Sequence, residues 1–140
     1  MHHHMLLVCH AADGHFADGD RDGIRRVLDE SDCIVSIDMS GPERYAIVCR
    51  DGGQPELYAP GLHTDRAFHR MELALSPQGW TSDTLKLVFE LMRAGGFGLM
   101  DSLDAAQIIV SSPQQVAYFP RLLKQPLLVR NSRDLGLSLL

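Results

Sequence analysis

The fold is decided by a stretch of alternating residues, 33–50, which reads CIVSIDMSGPERYAIVCR. Its first half, Cys33–Met39, alternates between apolar and polar side chains, which is the two-residue period of a half-buried strand. The apolar positions, which we expect to face the core, are Cys33, Val35, Ile37 and Met39. The polar positions between them are expected to face solvent.

The second half of this stretch, Arg44–Arg50, alternates in the same way after a short turn that contains Gly41 and Pro42. Because the connection is so short, the two strands are predicted to form an antiparallel hairpin. Two further strands, Glu56–Ala59 and Phe68–Ser76, follow along the chain. The simplest arrangement is a meander of four consecutive antiparallel strands.

Two amphipathic helices flank the meander in the sequence. In the longer one, from Asp83 to about Ala94, apolar residues recur at spacings of three and four, which predicts packing against the sheet. The shorter one runs from about Asp22 to Ser31. Further elements are predicted at Leu99–Asp101, Gln107–Ser111 and Leu127–Arg130 (strands) and from Pro113 (a short helix). The sequence therefore predicts an α+β fold, in which a mainly antiparallel sheet is packed by one main helix and two short helices.

The chain of 140 residues is expected to form one domain. Residues 1–4, which read MHHH, are interpreted as the remnant of an expression tag, and residues 5–140 contain no linker or internal repeat. The longest apolar runs are too short to cross a bilayer, so no membrane association is expected. The three cysteines show no paired spacing, which indicates buried free thiols in a reducing, cytoplasmic compartment.

The charge of the chain is acidic and unevenly distributed. The formal net charge of −5 disfavours nucleic acid as a partner, because phosphate binding needs a concentrated basic face. Seven acidic residues and three arginines lie between Asp13 and Asp32, whereas the stretch between Arg121 and Asp134 is basic. These stretches could pair within one chain, between subunits, or with other proteins.

One acidic motif, at residues 18–29, has the spacing of a calcium loop. It opens as D-x-D-x-D-G, with the glycine at Gly23 and an aspartate at the twelfth position. These twelve residues resemble the calcium loop of the EF-hand and dockerin families, although Arg25 stands where those families have an aliphatic residue. The ligands that the resemblance implies are Asp18, Asp20, Asp22 and Asp29. The alternative is an acidic loop that caps a helix without metal, and no other cofactor is indicated.

Histidine, cysteine and aspartate also lie close together near the beginning of the chain. These residues are Cys9, His10, Asp13 and His15. They could bind a transition metal or supply a nucleophile and a base, and His63 with Asp65 is a second conceivable acid/base pair. A core cysteine and solvated surface loops explain the same residues without any chemistry. No phosphate-binding loop, nucleophile elbow, zinc-protease or kinase motif is present.

A non-enzymatic protein-binding module is the function that these observations favour. An acidic patch accelerates association with basic partners, as in an inhibitor, an immunity protein or an assembly protein. The binding residues expected for such a partner are Asp13, Asp18, Asp20 and Asp22. One alternative is a small metal-dependent, hydrolase-like enzyme or calcium-binding domain that uses residues 10–29. The other is a structural homo-oligomer, in which the acidic stretch of one subunit meets the basic stretch of another.

Overall fold

The computed structural model describes residues 4–102, 104–119 and 125–139. These residues form one eight-stranded sheet and four helices. The strands are β1 His4–Val8, β2 Ile34–Gly41, β3 Arg44–Cys49, β4 Glu56–Tyr58, β5 Arg70–Ala74, β6 Gly98–Asp101, β7 Asp104–Val110 and β8 Leu127–Leu128. The helices are α1 Arg21–Glu30, α2 Ser82–Gly95, α3 Pro113–Tyr118 and α4 Ser132–Ser138.

The strands lie in the order β2-β3-β4-β5-β1-β6-β7-β8. All neighbours are antiparallel except β7 and β8, which are parallel. The predicted meander is confirmed as β2–β5, and the α+β class is confirmed with it. The sheet therefore begins at an edge formed by β2, a strand of eight residues.

The first strand lies in the middle of the sheet, between β5 and β6. Leu7 stands opposite Met71 on one side and Leu99 on the other, and all three side chains are completely buried. β1 begins at His4, a residue that the sequence analysis assigned to the tag remnant. The carbonyl oxygen of His4 accepts hydrogen bonds from the main-chain N–H and the Oγ of Ser102, at 3.2 and 3.0 Å.

One face of the sheet holds the main hydrophobic core, which includes residues of α1, α2 and α4. Helix α2 contributes most to it, through the buried side chains Leu87, Val88, Phe89, Leu91 and Met92. Each large apolar side chain buried in this way stabilises the fold by about 1.5–3 kcal/mol. The helix begins after Thr81, whose side chain accepts the N–H of Thr84, and stops at Gly96, whose φ of 76° suits glycine.

The opposite face carries a second, smaller apolar cluster at β1, β6 and β7. Its buried members are Val8, Ile108, Val110 and Phe119. The three cysteines are free and buried, as the sequence predicted. Within the described ranges no helix is long and apolar enough to cross a membrane.

The edge strand differs from its prediction in a way that bears on function. Val35 and Met39 were expected in the core, but the structure leaves 61% and 63% of them exposed. The expectation was wrong because the pairing of β2 with β3 shifts register between Ile34 and Ser36 and again between Met39 and Gly41. Such irregularities turn side chains of an edge strand outward. The structure also adds helix α4, where the sequence predicted none.

Candidate functional site

A cleft of about 490 Å³ lies between α1 and the edge strand β2. One wall is formed by α1 and the segment after it, and the other by β2, with Tyr45 of β3 and His63 completing the surface. The lining residues are Arg25, Leu28, Asp29, Ser31, Ile34, Val35, Ser36, Ile37, Tyr45 and His63. The lining combines apolar and polar side chains, which suits a peptide better than an apolar molecule.

The strand beside this cleft is open for pairing. Within the described residues β2 has a neighbouring strand on one side only, namely β3. Long edge strands are usually protected by charges or proline, yet β2 carries only one charged residue, Asp38, and no proline. Its exposed Val35 and Met39 add an apolar surface to main-chain groups that lack a strand partner.

Two aromatic side chains of the cleft lining, Tyr45 and His63, contact each other. The hydroxyl of Tyr45 lies 2.5 Å from Nε2 of His63 and shares a hydrogen bond with it. Burial, and then repulsion by Glu43, raises the pKa of the Tyr45 hydroxyl above its ordinary value of 10. The phenol therefore stays protonated at neutral pH, and this pair can offer hydrogen bonds but has no activated nucleophile.

The arginine that lines the cleft is already neutralised. Nη1 of Arg25 donates to the carbonyl oxygen of Leu62 at 2.6 Å, and its Nη2 donates to Oδ1 of Asp22 at 2.5 Å. The bond to Leu62 attaches α1 to the segment that follows β4, whereas the bond to Asp22 lies within the helix. Asp29, one turn further along the helix, also lines the cleft but has no ion pair among the described residues. The net charge that the cleft presents is therefore negative.

Unpaired acidic side chains surround the C-terminal end of α1. Asp29, Glu30 and Asp32 make no ion pair in the described part of the chain, and the last turn of α1 contains no basic residue. The negative end of the helix dipole adds to their field. Nε of Arg50 donates to the main-chain oxygen of Asp32 rather than to a carboxylate. Arg26 shares a surface depression with Glu30 and Asp32 but forms no ion pair with them in the described part of the chain. A basic molecule that approached this end of α1 would meet carboxylates that have no ion-pair partner.

No protein-family model, curated protein sequence or solved structure matches this chain. The function of the cleft is therefore inferred from its geometry and charge alone.

The four aspartates of the calcium-loop motif are not gathered around one point. α1 begins inside the motif, so that Asp20 becomes its N-cap and accepts the N–H of Gly23 at 3.0 Å. Asp18 accepts the N–H of Phe68 at 2.8 Å, a bond that lowers the pKa of its carboxyl group. Asp22 lies in the first turn of α1 and Asp29 in its last, about two turns away. Among the described residues, no group of three or more His, Cys, Asp or Glu side chains is placed to hold a metal ion.

The four aspartates predicted to bind a basic partner have local partners of their own. Asp13 lies 3.4 Å from Nδ1 of His15, and its carboxyl pKa is lowered mainly by the main-chain N–H of that residue. Asp18 pairs with Arg21, and Asp22 with Arg25. Asp20 is occupied in capping α1, as described above. The structure thus leaves the unpaired negative charge at the other end of the helix.

The cysteine and histidines near the beginning of the chain are separated by the fold. Cys9 is buried, and this burial raises its thiol pKa, so that the sulfur stays protonated. The ring of His10 packs between Phe16 and Phe119, at centroid distances of 4.8 and 4.6 Å. Asp13 and His15 form an exposed pair on the loop. No nucleophile and base are brought together here.

Sequence reasoning missed the cleft, and it counted Glu30 and Asp32 in the acidic stretch without naming them as binding residues. A signal was present, because Asp29, Glu30 and Asp32 follow one another at the end of a predicted helix with no basic residue beside them. Acidic side chains at that end oppose the helix dipole, so they are placed there at a cost to stability. The cleft itself had no sequence signal, since it depends on which strand forms the sheet edge.

Proposed function

We propose that this protein is a non-enzymatic protein-binding module that adds an extended, basic segment of a partner protein to the edge strand β2. The observation that carries the proposal is the open edge of β2 beside the α1–β2 cleft. In recognition by strand addition, main-chain hydrogen bonds supply affinity and alternate side chains enter neighbouring pockets. Such a module could act as an inhibitor, an immunity protein or an assembly protein.

The chemistry of the cleft specifies the segment that would fit. Side chains on one side of an added strand would meet Leu28, Ile34 and Ile37, which favours apolar residues at every second position. The residues between them would lie near Asp29, while the ends of the segment would approach Glu30 and Asp32. Lysine or arginine is favoured there, because an unpaired carboxylate gains a partner.

A selection experiment identifies the binding preference without knowledge of the natural partner. A display library of random linear peptides is selected on the protein and the enriched sequences are compared. The proposal predicts alternating apolar residues interspersed with lysine or arginine. Methylation of alternate main-chain nitrogens in a selected peptide should abolish its binding, because an added strand needs those N–H groups. Enrichment of acidic or helical peptides would contradict the proposal.

Paired substitutions locate the bound peptide on the protein. The double variant Val35→Ser/Met39→Ser should bind a selected peptide about tenfold or more weakly than the wild-type protein, because each lost apolar contact contributes on the order of 1 kcal/mol. The matched control is Phe16→Ser/Leu127→Ser, which removes exposed apolar side chains elsewhere. Equal effects of the two pairs would place the peptide away from β2. Dimerisation of the protein through β2 itself would appear as a concentration-dependent mass that the first pair alone abolishes, and would identify a second copy as the partner.

A further inference from the structure

A second cavity lies between α2 and α4 and shares no residue with the α1–β2 cleft. Its volume is about 650 Å³, which falls within the range of about 300–1,000 Å³ that is typical of small-molecule sites. Its apolar lining comes from Trp80, Leu85, Leu137 and Leu139. Its two charged lining residues are both basic.

The apolar part of this cavity is accessible rather than filled. Leu137 of α4 remains 62% exposed, although it stands beside the buried Leu139. Gly136 lets α4 approach α2 closely, since a Cβ atom there would lie only 3.1 Å from Cδ1 of Leu85. The result is a groove floored by leucine and indole surface, which an apolar chain would remove from water.

The basic side chains at the rim lack partners. Lys86 belongs to α2 and Arg133 to α4, and in the described part of the chain neither side chain has an ion pair or a hydrogen bond. The neighbouring acids are engaged elsewhere. Asp83 accepts the main-chain N–H of Asp51 at 3.0 Å, and Asp134 accepts that of Arg130 at 3.2 Å. The rim therefore presents two basic side chains without an ion pair in the described part of the chain, beside an apolar lining.

An unused hydrogen-bond donor lies in the same lining. Nε1 of Trp80 is buried and has no hydrogen-bond partner among the described residues. Because this atom is shielded from solvent, a ligand in the cavity would contact other atoms of Trp80 rather than its N–H. The hydrogen-bond acceptor that suits the lysine and the arginine at the rim is a carboxylate.

We propose that the α2–α4 cavity binds a small amphipathic carboxylate, with its apolar tail along Leu85 and Leu137 and its carboxylate held by Lys86 and Arg133. The inference rests on the apolar lining and the two unpaired cations together. It does not depend on the peptide-binding function, because the two surfaces have no residue in common.

The single tryptophan makes the test specific, since Trp80 is the only one in the chain and lines the cavity. Decanoate is titrated into the protein below its micelle-forming concentration, and the tryptophan emission is followed. The expected result is a saturable change in emission. Decanol, which has the same tail without the charge, should bind about tenfold more weakly, because charge-assisted hydrogen bonds are lost. Equal affinity for decanol, or no saturable change, would overturn the proposal.

Charge-removing variants separate specific binding from a general effect of charge. The double variant Lys86→Gln/Arg133→Gln should bind decanoate about tenfold more weakly, while its affinity for decanol should not change. The control is Arg26→Gln/Arg93→Gln, which removes the same charge from exposed positions outside the cavity. Equal weakening by both pairs contradicts the proposal, as does an emission change that requires anionic vesicles instead of free decanoate. If the Lys86→Gln/Arg133→Gln variant does not fold, the salt dependence of the wild-type protein provides the test. Added salt should lower its affinity for decanoate but not for decanol.

Discussion

Gly23 shows how one residue can fit two different structural explanations. In the sequence it stands at the glycine position of a calcium-loop motif, where a sharp turn would need it. In the structure it is a helical residue of α1, packed against the end of α2. A Cβ atom at this position would lie 2.3 Å from the carbonyl oxygen of Ala94. The glycine is therefore explained by the close contact of two helices.

Gly23→Ala tests this explanation. We expect the free energy of unfolding to fall by about 1–3 kcal/mol, as for other substitutions that overpack a core. In an uncrowded helix the same change would instead stabilise by up to about 1 kcal/mol, through helix propensity. Urea denaturation measures the difference, and Gly41→Ala is the control, since a Cβ there meets only the side chain of Arg44, at 3.4 Å. Stabilisation by Gly23→Ala would refute the helix contact.

His10 makes the stability of the fold dependent on pH. Burial among aromatic rings, and then the proximity of His69, lowers its pKa below the usual 6.5. The unfolded chain therefore binds a proton at a higher pH than the folded chain, and stability falls as the pH drops through 6.5 towards the folded-state pKa. Asp13, Asp18 and Asp51 have lowered pKa values as well, but their contribution is lost only as the pH falls below 3.8.

His10→Phe should reduce this loss of stability on acidification. The measurement is the free energy of unfolding in urea at about pH 7.5 and about pH 5.5, which bracket the window in which a histidine of lowered pKa destabilises. His15→Phe is the control, because His15 lies exposed on the loop. We expect the difference between the two pH values to shrink for His10→Phe only. An unchanged difference would show that the ring of His10 is not shielded from water as the structure indicates.

At the scale of elements, α1 combines one favourable end with one unfavourable end. Its first turn is capped by Asp20 and contains Asp22, whereas its last turn ends in Asp29 and Glu30 without a basic residue. Helix dipoles favour acidic residues at the first position and basic residues at the second. Stability alone does not explain the acidic C-terminal end, which agrees with a role in binding.

Glu30→Lys should therefore raise stability and lower affinity together. Removal of the acidic residue and addition of a basic one at the C-terminal end should stabilise by about 0.3–1 kcal/mol. The same substitution should lower the affinity for a selected basic peptide several-fold, and this loss should be largest at low salt. Urea denaturation and a binding titration measure the two effects. Asp83→Asn, which removes an acidic residue from the first turn of α2 and away from the cleft, is expected to do the reverse: some loss of stability with unchanged affinity.

Elements with strong local patterns were predictable from the sequence. The meander and α2 have regular periods and clear turn or capping residues, and their positions agree with the structure to within a few residues. Helix α4 was missed because it is short and contains Gly136, a residue of low helix propensity. In β2 the strand was correctly predicted, but its burial does not alternate as expected, because Val35 and Met39 face outward. Their outward position depends on register shifts against β3, which no local pattern reveals.

At the scale of the whole molecule, the sheet order depends on contacts between distant parts of the chain. β1 lies between β5 and β6 in the sheet. More than half of the described sequence separates it from β6 along the chain. Sequence periodicity gives the faces of a strand but not its neighbours, so the position of β1 and the identity of the edge strand could not be predicted. The candidate site follows from that edge, and for this reason it became visible only in the structure.

The two proposed sites should operate independently in the intact protein. The cleft is formed by α1, β2, β3 and His63, and the second cavity by the beginning of α2 and by α4. Since they share no residue, saturating decanoate should leave the affinity of a selected peptide unchanged within error. A titration of the peptide with and without decanoate measures this. Competition between them would mean that both ligands occupy one surface, and would contradict the separate assignment.

Hydrogen exchange of the β2 amides, with and without a selected peptide, tests the central claim most directly. Strand addition places new hydrogen bonds on the free side of Ile34–Gly41, so alternate amides of this strand should exchange much more slowly in the complex. Amides of β2 that already pair with β3 should change little. Protection that leaves β2 unaffected and appears instead on β4, β5 or α4 would contradict binding at the sheet edge.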